Sequence, residues 1–109
     1  MATIEELTET IVKFRDERDW AQFHNAKDLS LALSIEAAEL NQLFLWKSPE
    51  EANVEKIKEE LADVIVYSQN LLDKLGLDAD EIVNMKMTMN EAKYPVDKAK
   101  GNAAKYTEL

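Results

Sequence analysis

The chain carries no cysteine, two glycines, two prolines and one histidine in 109 residues. Each shortage excludes something. Without cysteine there is no disulfide, no thiolate metal site and no thiol nucleophile. That composition fits a reducing cytoplasm, which is the expected compartment. So few glycines and prolines leave few breaks, and a mostly helical chain is expected. Basic residues are also scarce, 13 Lys and Arg against 22 Asp and Glu, for a net charge of −9. A nucleic-acid backbone recruits clustered Lys and Arg, so no nucleic-acid partner is expected. A small phosphorylated ligand stays open, because a few metal ions would cancel the local negative charge. No apolar run approaches the ~20 residues that span a bilayer, and the acidic N-terminus lacks the apolar stretch of a signal peptide. Hydrophobic residues at 46% are too many for a disordered chain. The length suits one domain with a modest core, residues 1–109.

Helix signals recur along the chain. Thr3 with Glu6 reads as a capping box opening helix 1, which runs to about Arg18 with Ile4, Leu7, Ile11 and Phe14 on its buried face. Asp19 to Lys27 breaks the pattern and reads as a loop holding Trp20, Phe23 and His24. Asp28 is the expected cap of helix 2, continuing to about Trp46. Ser48-Pro49 marks a restart whose polar first turns, Glu50 to Lys56, read as helix 3, as irregular chain or as a separate short turn, and helix 3 ends near Leu75 before Gly76. Asp78 with Glu81 opens helix 4, which stops at about Lys93 before Pro95. The polar remainder, Val96 to Leu109, is expected to be extended or packed on a partner chain. Four helices with short joints predict an all-α four-helix bundle. Leu31, Ile35, Leu45 and Trp46 lie off the main apolar face of helix 2, so the bundle is expected to be oligomeric.

Two carboxylate pairs stand out, Glu36 with Glu39 and Glu60 with Asp63. A three-residue step puts both members of a pair on one helix face. Leu29, Ala32, Leu33, Ala37, Leu40, Leu43 and Phe44 define the apolar stripe of helix 2, and Glu36 falls inside it. In helix 3 the stripe is Ile57, Leu61, Val64, Ile65, Ser68, Leu71 and Leu72, with Glu60, Asp63 and Tyr67 along one flank. Such pairs also arise as solvated charge, as Glu5, Glu6, Glu9, Glu50 and Glu51 do here. A carboxylate where Leu or Ala belongs is different, since burying it unpaired costs several kcal/mol. Four that converge repel each other unless a cation lies between them. Oxygen ligands without cysteine suit Mg²⁺, Mn²⁺ or Ca²⁺. Di-iron bundles need Glu-x-x-His motifs, and the single histidine lies outside both pairs. An open cluster of this kind suits phosphoryl or nucleotidyl chemistry by a metal-activated water.

Lys86, Asn90 and Lys93 stand at steps of four and three on helix 4, followed by Tyr94, and offer a cationic face for phosphates. Taken alone they read equally as an exposed polar face. Trp20, Phe23, His24 and Trp46 could build an aromatic pocket for a base, though loop aromatics commonly anchor a core.

These elements together resemble the MazG-like all-α nucleoside triphosphate pyrophosphohydrolases, and within them the dCTP pyrophosphatase branch with its integron-associated bacterial members. The resemblance rests on Glu17-Arg18-Asp19-Trp20 with Gln22-Phe23-His24, on Glu36-Ala37-Ala38-Glu39-Leu40 through Trp46-Lys47, and on Glu59 to Val64 with Tyr67. Lys86, Asn90 and Lys93-Tyr94-Pro95, and the tail Lys105 to Leu109, extend it over nearly the whole chain. It implies cleavage of a nucleoside triphosphate between the α and β phosphates, releasing a monophosphate and pyrophosphate. It implies Mg²⁺, with Mn²⁺ as a substitute, held by Glu36, Glu39, Glu60 and Asp63, and a homotetramer built as a dimer of dimers. Trp20, His24 and Trp46 would surround the base, Tyr67 and Asn90 would lie near sugar and phosphates, and Lys86, Lys93 and Tyr94 would bind phosphates. One departure bears on selectivity: Ile11 replaces a polar base-contacting residue of the eukaryotic relatives, which implies that dATP or other deoxynucleotides are accepted beside dCTP.

On this reading a water oriented by Glu39 attacks the α-phosphorus. No covalent intermediate is expected, since no Ser or Thr has a base at recognisable spacing. Two other readings stand beside it. One is a related enzyme with the same carboxylates, a phosphoribosyl-ATP pyrophosphohydrolase or a dimeric dUTPase. The other is a non-enzymatic helical oligomer that binds divalent ions for assembly.

Overall fold

The computed structural model describes residues 1–109 and contains helices and no strand. The four expected helices are α1 (Ile4–Glu17), α2 (Ala26–Gln42), α3 (Val54–Leu75) and α4 (Ala79–Lys93), and a short α5 (Val96–Ala99) follows. The chain divides into two compact units, residues 1–76 and 77–109.

In the first unit α2 and α3 pack along each other, and α1 packs on α3. Thr3 caps α1 by accepting the Glu6 amide at 3.1 Å. Two side-chain bonds tie α1 to α3. Thr8 Oγ1 donates to Gln69 Oε1 at 2.8 Å, and Arg15 Nη1 donates to Asp73 Oδ2 at 2.9 Å. The inward residues of α1 are Thr8, Ile11, Val12 and Arg15, whereas Ile4, Leu7 and Phe14 are exposed. The inward face thus keeps Ile11 of the expected residues and adds Thr8, Val12 and Arg15, of which Thr8 and Arg15 bond to α3.

Asn25, not Asp28, caps α2. Its Oδ1 accepts the Asp28 amide at 2.8 Å, and its Nδ2 donates to the Asp28 carboxylate at 2.8 Å. Asp28 becomes an acid in the first turn, where the helix dipole favours it. The helix also ends earlier than the apolar run suggests. Leu43, Phe44 and Leu45 bond back three residues instead of four, and Trp46 turns the chain with φ 61°.

Ser48 and Glu51 form a reciprocal capping box around a short 3-10 turn, Pro49–Glu51. Asn53 then caps α3 by accepting the amides of Glu55 and Lys56. That helix closes on Gly76, whose φ of 65° is the left-handed conformation glycine adopts without penalty. Along α3 the inward residues include Ile57, Glu60, Val64, Tyr67 and Leu71, while Leu61 and Ile65 remain exposed. The face toward α2 thus runs through Glu60, which the sequence stripe places on the flank.

In the second unit Asp78 caps α4 through the Asp80 amide at 2.9 Å. The remainder is not simply extended. It forms α5 and a 3-10 turn at Tyr106–Glu108, and Tyr106 packs edge-on to Tyr94 with ring centres 5.9 Å apart. The Lys93 ammonium lies 4.9 Å from the Tyr106 ring centre.

Candidate active site

α2 and α3 bring the two acidic pairs together. One carboxylate oxygen from each of Glu36, Glu60 and Asp63 falls within 4.8 Å of the others. Glu36 and Glu60 are half-buried and Asp63 is exposed. Glu36 Oε2 and Glu60 Oε2 have no access to water and no hydrogen-bond donor.

Both carboxyls are held above the ordinary range for glutamate. For Glu36 the largest cause is burial, followed by the neighbouring Glu39 carboxylate and then by the charges of Asp63 and Glu60. For Glu60 burial again leads, followed by Glu39, Asp63 and Glu59. Glu39 stands outside the set of three close oxygens, yet it neighbours both buried carboxyls. The donor set is all oxygen, two of its atoms are desolvated and unpartnered, and the groups repel one another. Those features fit a hard divalent cation, which would satisfy the orphaned oxygens and reverse the repulsion.

Next to this cluster lies a cavity of about 450 Å³. Asp63 belongs to both. The remaining walls come from α1 (Thr10, Ile11, Phe14 and Arg15), from Trp20 and His24 in the connection, and from Val66, Tyr67 and Asn70 of α3. Local structure fixes the aromatic wall. Asp19 adopts φ 54°, which short polar Asp tolerates, and the Trp20 amide bonds back to the Arg15 carbonyl at 3.1 Å. The indole then meets Phe14 edge-on at 5.6 Å between ring centres, and the Arg18 guanidinium covers Phe14 at 3.6 Å. His24 Nδ1 is buried without a partner. Burial, then the positive charges of Arg15 and Lys74, hold its pKa below the usual histidine value, so the ring is neutral near pH 7.

Three of the expected substrate contacts, Trp20, His24 and Tyr67, therefore share one cavity with Asp63. Trp46 does not line it: the indole is 93% exposed at the end of the α2 segment. Lys86, Asn90, Lys93 and Tyr94 lie on α4 and at its C-terminus in the second unit. Lys86 is exposed and Asn90 half-buried. The sequence stripe passed over Arg15 and Asn70. Arg15 is drawn inward by its bonds to Asp16 and Asp73. Asn70 is the most buried polar residue, at 4% exposure. Its spacing from Asp63 and Tyr67, seven and three residues along one helix, was the available signal.

Helices arranged in this way around paired carboxylates define a class, and the chain belongs to it: residues 31–109 match the MazG-like family. The protein is 38% identical to dCTP pyrophosphatase 1 of Mus musculus and 36% identical to that of Homo sapiens, over 98% of this chain and 68% of each relative. It also shares 37% identity with a pyrophosphatase from Archaeoglobus fulgidus of known crystal structure, with a TM-score of 0.80 over 87% of this chain and 94% of that one.

Proposed function

We propose that the protein is a Mg²⁺-dependent nucleoside triphosphate pyrophosphohydrolase. It cleaves the α–β phosphoanhydride of deoxynucleotides such as dCTP or dATP, releases the monophosphate and pyrophosphate, and so clears unwanted nucleotides from the pool. One observation carries this reading: the two buried, unpartnered carboxylate oxygens of Glu36 and Glu60 meet Asp63 at the edge of an aromatic-walled cavity. Identity of 36–38% to dCTP pyrophosphatases over almost the whole chain supports it.

Glu36, Glu60 and Asp63 would hold Mg²⁺, with Glu39 completing the acidic set and Mn²⁺ as a substitute. Bound there, the cation supplies positive charge against the phosphate oxygens and acidifies a water. The remaining steps fall to the chain. Glu39 orients the attacking water and accepts its proton, a role open to a carboxylate that neighbours the cluster without belonging to its closest three oxygens. Trp20 and neutral His24 would hold the base, and Tyr67 would lie near the sugar and phosphates. Trp46 would reach a base only in a neighbouring protomer, which accords with a homotetramer whose pockets form between subunits. Lys86, Lys93 and Tyr94 would bind phosphates, with Asn90 near sugar and phosphates.

The test is product analysis with Mg²⁺ across all common NTPs and dNTPs. Pyrophosphate with the matching monophosphate is expected. Orthophosphate with a diphosphate would move the chemistry to the γ-phosphate and refute the reading, as would no release from any nucleotide.

A further inference from the structure

We infer that Asn70 determines base selectivity, its side-chain carbonyl favouring bases that present an exocyclic amino group over bases that present a carbonyl at the same position. The inference rests on the pyrophosphohydrolase reading above and adds a rule of selection to it.

Asn70 lines the cavity and is 4% exposed. Its two polar atoms differ in commitment. Nδ2 donates to the Val66 carbonyl, one turn earlier, at 3.2 Å. Oδ1 is buried and accepts from nothing. Turning the amide over would set two carbonyl oxygens against each other, so the bond to Val66 leaves Oδ1 as the uncommitted atom. A buried acceptor without a donor is unfavourable in the empty protein and is relieved when a ligand brings one.

Position along α3 gives this acceptor its meaning. Asp63, Tyr67 and Asn70 follow at steps of four and three and line the same cavity. Asn70 stands about 10 Å along the helix axis from Asp63, at 1.5 Å per residue. That is comparable to the reach from an α-phosphate, across the sugar, to the far edge of its base. A nucleotide with its phosphates at the acidic cluster thus carries its base toward Asn70, in the cavity that His24 and Trp20 also line.

Cytosine and adenine offer an amino donor at the relevant edge. Uracil, thymine and hypoxanthine offer a carbonyl there, which leaves Oδ1 unpaired and facing a second acceptor. Of the neighbouring walls, Ile11 and Val66 carry no polar side-chain atom, Thr10 Oγ1 donates to the Glu6 carbonyl, and Arg15 Nε and Nη1 are bound to Asp16 and Asp73.

The experiment measures kcat/KM for pyrophosphate release from dCTP, dUTP, dATP, dITP and the triphosphate of a cytosine analogue lacking the 4-amino group, on wild type and Asn70→Leu. Wild type is expected to prefer dCTP over dUTP, and dATP over dITP, by about 10-fold or more, with the des-amino analogue falling alongside dUTP. Asn70→Leu keeps the volume and is expected to collapse the dCTP to dUTP ratio by about 10-fold while still turning over dUTP. A merely structural Asn70 would lower all substrates together and leave the ratios intact, which would overturn the inference. The analogue needs only wild type, so equal turnover of dCTP and the des-amino compound overturns it even if the variant fails to fold. In both cases pyrophosphate is still released and the pyrophosphohydrolase reading survives. Release from no nucleotide would instead refute that reading.

Discussion

At the scale of single residues, Glu36 shows how a misplaced side chain announces a site. It occupies the apolar stripe of α2, and its Oε2 is desolvated and unpartnered. Glu36→Gln keeps the size and removes the charge. The variant should lose Mg²⁺-dependent pyrophosphate release to background, yet melt at a higher temperature than wild type in EDTA, because one repelling charge is gone. Retained turnover, or a lower melting temperature in EDTA, would remove Glu36 from the metal-binding set. Trp46 poses the opposite case, a bulky residue with φ 61° and 93% exposure. Left-handed geometry costs a non-glycine residue about 1–2 kcal/mol, and such strain persists where function or assembly retains it. Trp46→Gly should leave stability within about 1 kcal/mol of wild type, since relief of strain offsets the looser unfolded chain. If the indole stacks on a base, kcat/KM for dCTP should fall roughly 10-fold, the value of one good aromatic contact. Unchanged kcat/KM would take Trp46 out of the pocket. The acidic cluster around Glu36 was legible in the sequence because Glu36 violates periodicity, whereas Trp46 stood out through the family resemblance and does not line the cavity. Asn70 was not legible, because a polar residue beside a stripe looks the same whether it faces water or a cavity until the neighbouring helix is in place.

At the scale of elements, local punctuation was readable and the buried faces only in part. Ser48-Pro49, Gly76 and Asp78 mark boundaries through chemistry that acts within a few residues, and all three do so in the structure. Asn25 displaced Asp28 as a cap because two equally good capping residues lay three apart. The buried faces of α1 and α3 keep only part of the expected stripes: Ile11 on α1 and Ile57, Val64, Leu71 and Leu72 on α3 lie inward, whereas Leu7, Phe14, Leu61 and Ile65 stay exposed. The α2–α3 pair also has a titration behaviour of its own. Glu36 and Glu60 have folded-state pKa values raised above the ordinary value of 4.5. Their contribution to stability is complete below that value and is lost as pH rises through the raised values. His24 acts in reverse: its pKa is lowered from 6.5, so its contribution is present above 6.5 and lost as pH falls through the lowered value. The difference in melting temperature between Mg²⁺ and EDTA isolates the carboxylates, since His24 contributes to both conditions. That difference should be small near pH 5 and grow toward pH 8, because the cation binds the deprotonated groups. A difference independent of pH would mean that Mg²⁺ binds elsewhere.

For the whole molecule, apolar surface is the outstanding quantity. Leu29 and Ala52 are the buried hydrophobic residues of the chain. Meanwhile Leu31 and Ile35 of α2 and Leu61 and Ile65 of α3 are each 45–56% exposed. The second unit adds Val83, Met85, Met87 and Met89, exposed at 46–58%. A chain of this size gains its stability by removing apolar surface from water, at about 25 cal/mol per Å². With so little of that surface covered, a second copy of the chain is the simplest means of covering the rest, and patches this extensive mark interfaces in soluble proteins. The expected state is a homotetramer of the 12.4 kDa chain, measurable by light scattering on a sizing column. Its melting temperature should rise with protein concentration, as mass action requires when folding and assembly are linked. Leu31→Lys places a charge in the exposed apolar face of α2, more than one turn before Glu36 and Glu39. It should shift the mass toward smaller species and lower kcat/KM for dCTP in parallel, if pockets form between protomers. A wild-type monomer with full activity at micromolar concentration would separate catalysis from assembly. The exposed side chains would then need another partner, and Trp46 would need another explanation for its strained and solvent-facing position.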